Sequence, residues 1–164
     1  MSARRCARPR TRRLAPAAIA TACLAVTACG GGHAATKQDV IAQGNAICAG
    51  ALRDIRALPA PVSAGASTAG LAKYLAHVVP IIQTEVVGLR KLPRPARDRA
   101  LLNRFLVAMG TTEAQYRALL SAARSGNSAA VSEALSALAD GPSAKLASQY
   151  GLTQCANASG TAVS

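Results

Sequence analysis

Beyond about residue 36, apolar positions recur at alternating spacings of three and four in four successive stretches. The strict alternation of a half-buried strand is not seen there, so the pattern predicts an all-α fold. The first helix is expected over Lys37 to Leu58, with Ile41, Gly44, Cys48, Ala51, Ile55 and Leu58 along one face. Thr36 and Asp39 have the spacing of a capping box at its start. Pro59 and Pro61 end it, and a small, polar stretch from Val62 to Thr68 reads as a loop. The second helix is expected from Ala69 to Leu92, with Leu71, Leu75, Val78, Ile82, Val86 and Leu89 on its stripe. Pro80 inside it predicts a kink, because proline supplies no backbone N–H and crowds the preceding turn.

The third helix is expected from Ala96 to Arg124. Its stripe is Leu102, Phe105, Met109, Thr112, Tyr116, Leu119 and Ala123, regular enough for a bundle seam. The short break Ser125-Gly126-Asn127 turns the chain back. A fourth helix starts near Ser128, with Val131, Leu135, Leu138, Leu146 and Tyr150 on its stripe. Asp140-Gly141-Pro142 is expected to kink or split it, and Gly151 to cap it with Leu152 folded back. The resulting expectation is an up-down-up-down four-helix bundle over residues 37–155, with kinked second and fourth helices, one disulfide and a frayed tail over 156–164.

Composition changes the picture at the N-terminal end. The 164-residue chain has 19 Lys and Arg against seven Asp and Glu, but six of the bases fall within the first 13 positions. Leu14 to Val26 is uncharged and apolar, yet too short for the roughly 20 residues that span a bilayer. A basic start followed by such a run is the layout of a secretory signal segment, which is removed from the working protein. Half of the basic excess that would suggest nucleic acid is therefore discarded, and three Tyr and one Phe offer no stacking platform.

The apolar run closes on Val26-Thr27-Ala28-Cys29, followed by Gly30-Gly31-Gly32. This resembles the bacterial lipobox: an aliphatic residue, two small residues and a cysteine. The resemblance implies cleavage after Ala28 and acylation of Cys29. The expected organisation is a signal peptide over 1–28, a lipidated cysteine and flexible tether over 29–36, and then the bundle. The expected location is the extracytoplasmic face of the cell membrane. Thr11-Arg12-Arg13 resembles a twin-arginine export signal, though Ala15 and Pro16 depart from that pattern.

Cysteine arithmetic agrees with this layout. Cys6 and Cys23 leave with the signal segment and Cys29 carries lipid. Cys48 and Cys155 remain as an even pair in an oxidising compartment and are expected to be bridged. Ala46-Ile47-Cys48-Ala49, Val79-Pro80-Ile81-Ile82 and Tyr150-Gly151-Leu152 with Cys155 further resemble a group of small helical lipoproteins of high-GC actinobacteria. That resemblance implies a fold and a location, and no activity.

Candidate chemistry is sparse. His33 falls in the tether and His77 on the second helix. Glu85, Glu113 and Glu133 lie far apart, and none precedes a histidine at the spacing of a di-metal bundle. No G-x-S-x-G element or phosphate-cradling glycine loop occurs. The expectation is no enzyme, no metal and no cofactor. One uneven feature is basic: Arg90, Lys91, Arg94, Arg97, Arg99 and Arg104 bracket the turn between the second and third helices. In an up-down bundle that turn returns to the anchored end, where cations meet anionic headgroups. The expected role is a binding or interaction module with an envelope protein as partner. The second expectation is a carrier or sensor with an apolar pocket among Leu71, Leu75, Phe105, Met109 and Tyr116.

Overall fold

A computed structural model describes residues 34–59 and 67–158. Those residues form six helices and no strand: α1 Lys37–Arg56, α2 Thr68–Arg90, α3 Arg99–Arg124, α4 Ser128–Ala139, α5 Ser143–Tyr150 and α6 Thr153–Ala158. The signal segment, Cys29, His33 and residues 159–164 of the expected tail lie outside the described residues, while 156–158, expected to fray, are the end of α6.

α1 begins as its sequence predicts. The Thr36 hydroxyl accepts from the Asp39 amide at 3.2 Å, and the Asp39 carboxylate accepts from the Thr36 amide at 2.8 Å. The Thr36 hydroxyl also donates to the Asp39 carboxylate at 2.7 Å, and this bond, with that from the Thr36 amide, holds the Asp39 carboxyl below the usual carboxylate range. The buried face of α1 is turned slightly from the expected one. Val40 is fully buried, whereas Ile41 is only partly covered. Ile41 is drawn aside because it packs over Gly151 at the end of α5.

α2 is one continuous helix through Pro80, with Ser67 as its N-cap. α3 is the central element. All seven positions of its predicted stripe are buried, and it packs against α2, α4 and α5. It starts at Arg99 rather than near Ala96, since residues 96–98 form a turn.

The fourth predicted helix is two helices. α4 ends at Ala139, and α5 begins after Pro142, whose ring and missing N–H rule out a continuing helical ladder. α5 then ends in a tight reversal. Gly151 takes φ 102°, a left-handed conformation that side chains disfavour. Its N–H and that of Leu152 both reach the Ala147 carbonyl, at 3.0 and 2.9 Å. Leu152 is thereby turned into the core and fully buried. It rests on Gly44 of α1, where an added Cβ would lie 2.5 Å from the leucine side chain.

The reversal launches α6, an element absent from the periodicity. Six residues are too few to show a stripe, so the sequence offers it no signal. α6 brings Cys155 to α1, where it forms a disulfide with Cys48 across 5.0 Å between Cα atoms. Both cysteines are buried in the core.

Candidate functional site

Two grooves mark the described residues: one of about 330 Å³ between α3 and α4, lined by alanines with Gln115 and Glu133, and one along the seam between α1 and α2 that also holds a buried acid. The α1–α2 groove is open, with a volume of about 460 Å³. Its walls come from these two helices alone: Ala46, Ile47, Gly50, Ala51 and Asp54 from α1, and Pro80, Ile81, Thr84, Glu85 and Gly88 from α2. Small residues make the space. A Cβ added at Gly50 would meet only the end of the Arg53 side chain, at 3.8 Å, so that wall stands open. Gly88 faces the side chain of Ile47. Pro80 is exposed on the rim, and the Thr84 hydroxyl donates back to the Pro80 carbonyl at 3.0 Å.

Glu85 is the unusual member. It is 4% exposed, and its Oε1 atom is buried without a hydrogen-bond partner. Loss of hydration raises its carboxyl from 4.5 to about 7. An orphaned buried acceptor costs about 1–3 kcal/mol. Glu85 also lines a void of about 10 Å³ beneath the groove, with Met109, Thr112 and Tyr116 of α3 and Ala158 of α6 around it. Tyr116 is pushed up to about 12, first by its own burial and then by the nearby Tyr74 and Glu85. Thr112 has an occupied hydroxyl, which donates to the Ala108 carbonyl at 3.1 Å. The groove thus has apolar walls, a buried acid at its base, an exposed acid in Asp54 and no basic lining residue.

The residues expected to line an apolar pocket lie elsewhere. Leu75, Phe105, Met109 and Tyr116 are buried in the core, with Leu71 packed partly against it. Of these five, only Met109 and Tyr116 border the small void. Along the sequence Glu85 stands as one of several scattered acids. Its signal was present: Glu85 follows Ile82 by three and precedes Leu89 by four, on the buried stripe of α2.

The six bases from Arg90 to Arg104 are all exposed. They surround the α2–α3 turn, where Lys37 at the start of α1 pairs with Asp98 at 3.4 Å. The Lys37 ammonium also lies over the Tyr150 ring, 5.1 Å from its centroid. The beginning of α1, the α2–α3 turn and the end of α5 therefore meet at one end of the domain.

His77 is exposed on α2. Among the described residues, no three His, Cys, Asp or Glu side chains come together as a metal site. Among them, too, no helix is long and apolar enough to cross a membrane. No protein family, curated protein or solved structure matches the chain.

Proposed function

We propose that the protein is a non-enzymatic binding module of the cell envelope, held by lipid on Cys29 at the outer face of the membrane, with its basic end turned toward the bilayer. The observation that carries this reading is the Lys37–Asp98 ion pair. It joins the first helix after the tether to the turn that bears Arg90, Lys91, Arg94, Arg97, Arg99 and Arg104. Seven residue steps separate Cys29 from Thr36, a span of at most about 25 Å. An anchor on Cys29 would keep that end near the lipid. Each cation near an anionic surface contributes about 1 kcal/mol.

The finer arrangement belongs to the same reading: four antiparallel rods in up-down-up-down order, the second bent at Pro80 and the fourth made of α4 and α5. An envelope protein bound to the outward-facing part of the bundle is the partner it implies. The α1–α2 groove favours a second reading, a carrier or sensor for a small molecule with an apolar body.

Two measurements test the proposal. Mass spectrometry of the membrane-extracted protein is expected to find Cys29 as an acylated N-terminus; a chain beginning elsewhere removes the anchor. A chain starting at residue 29 with Cys29→Ser is expected to bind anionic vesicles and not neutral ones. Arg94→Glu with Arg97→Glu should weaken that binding about tenfold or more. Equal binding to both vesicle types overturns the membrane-facing role of the basic end.

A further inference from the structure

We infer that the α1–α2 groove is a binding site for a lipophilic amine, a molecule with one ammonium group and an apolar body, whose cation is taken by Glu85. This deepens the reading of the protein as a binding module by naming a ligand class, and it does not require the membrane anchor.

Charge complementarity carries the argument. Thirteen bases against seven acids follow Cys29, so the domain is basic as a whole. Two of those seven acids, Asp54 and Glu85, nevertheless line one groove whose lining residues include no base, although the Arg53 guanidinium reaches its open Gly50 wall. Asp54 is exposed at the groove, where it attracts a cation from solvent. Glu85 is buried with Oε1 unpartnered, so an ammonium N–H supplies the donor it lacks. Ile47, Ile81 and Pro80 offer the apolar wall for the remainder of the molecule. The groove volume falls in the range of small-molecule sites. An anion would meet two acids, and a neutral hydrocarbon would leave the buried acceptor unsatisfied. A divalent cation prefers six or more oxygen ligands, which the apolar walls do not provide.

The groups facing Glu85 also set the expected pH response. Asp54 lies on α1 and Tyr116 on α3, while burial holds Glu85 protonated into the neutral range. Ionisation of Glu85 as pH rises should strengthen binding of an amine that remains charged.

The probe is decylammonium, below its micelle-forming concentration, titrated calorimetrically into the chain from residue 29 with Cys29→Ser, without vesicles. Decanol and decanoate serve as comparators. Decylammonium should bind about tenfold or more tightly than either, and its affinity should rise between about pH 5.5 and pH 8.5 while that of decanol stays flat. Glu85→Gln keeps the shape of the side chain and should lose at least about tenfold in decylammonium affinity, together with the pH dependence. Gly50→Leu should fill the open wall and weaken binding of every probe. Its melting temperature should hold or rise, since leucine is the better helix former, which separates a blocked groove from a misfolded chain. Equal affinity for decylammonium and decanol, no measurable binding, or unchanged affinity in either variant overturns the inference. Because vesicles are absent, none of these outcomes bears on the membrane-facing role of the basic end.

Discussion

The two flanks of α3 are made of different materials. On one flank lie α1, α2, α5 and α6, with large core side chains, a disulfide and a buried carboxyl group. On the other lies α4, in which eight of twelve residues are Ala, Val or Leu, yet Val131 alone is buried. The shorter α5 has half its residues apolar and still buries Ser143, Leu146, Ala147 and Tyr150. Apolar composition therefore does not by itself place a helix in the core. Alanine has little surface to remove from water, and burial yields about 25 cal/mol per Å². α5 is pulled inward by Tyr150, Leu146 and the reversal that ends in a covalent bond to α1. α4 has an alanine-lined face against α3 and no such tie.

The largest test of this contrast removes the tie. Cys48→Ala with Cys155→Ala opens a loop closed over 107 residues and should cost up to about 5 kcal/mol in urea unfolding. Hydrogen exchange should quicken in α6 and the facing part of α1, and change least in α4. A uniform loss across all helices would erase the distinction between the flanks.

The next effect comes from Glu85. Its carboxyl is raised to about 7 in the folded state against 4.5 in the ordinary case. The folded form thus holds the proton more tightly. The stability from this group is full below about pH 4.5 and is lost as pH rises through about 7, roughly 3 kcal/mol across the window. Glu85→Gln should flatten that part of the unfolding free energy against pH, and Glu133→Gln on α4, an exposed position, should not.

The smallest effects belong to α4. Asn127 caps it by accepting from the Ala130 amide at 3.0 Å, so Asn127→Ala should cost about 1 kcal/mol. Leu135→Ala, at a partly covered position, should cost less than the roughly 2–5 kcal/mol typical of a buried leucine. A loss within that larger range would show that α4 is as firmly packed as the opposite flank.

Much of the fold was legible because periodicity reports burial directly. The seven-position stripe of α3 is buried as read, the Thr36 and Asp39 cap forms, and Cys48 pairs with Cys155. Failures arose where a neighbour decided the outcome. Val40 displaced Ile41 at the centre of the α1 face because Ile41 packs against Gly151, more than a hundred residues away. Leu135 and Leu138 have the right spacing and are only partly buried, because too little packs over them. The groove was harder still. Gly50 and Gly88 leave no mark in a hydrophobic pattern, and they matter through the space they do not fill. Glu85 was visible as an acid on an apolar stripe, and its spacing was the sign that it is enclosed.

The bond between Cys48 and Cys155 also governs what a protease could achieve. It encloses nearly all of the described domain in one covalent ring. A single cut anywhere inside that ring yields two polypeptides that remain joined, so nothing is shed from the end that holds residue 29. Freeing any part of the ring from that end takes a cut ahead of Cys48, two cuts, or a cut plus a reductant. On the proposed reading of Cys29 as a lipid anchor, the disulfide would make retention at the surface tolerant of nicking.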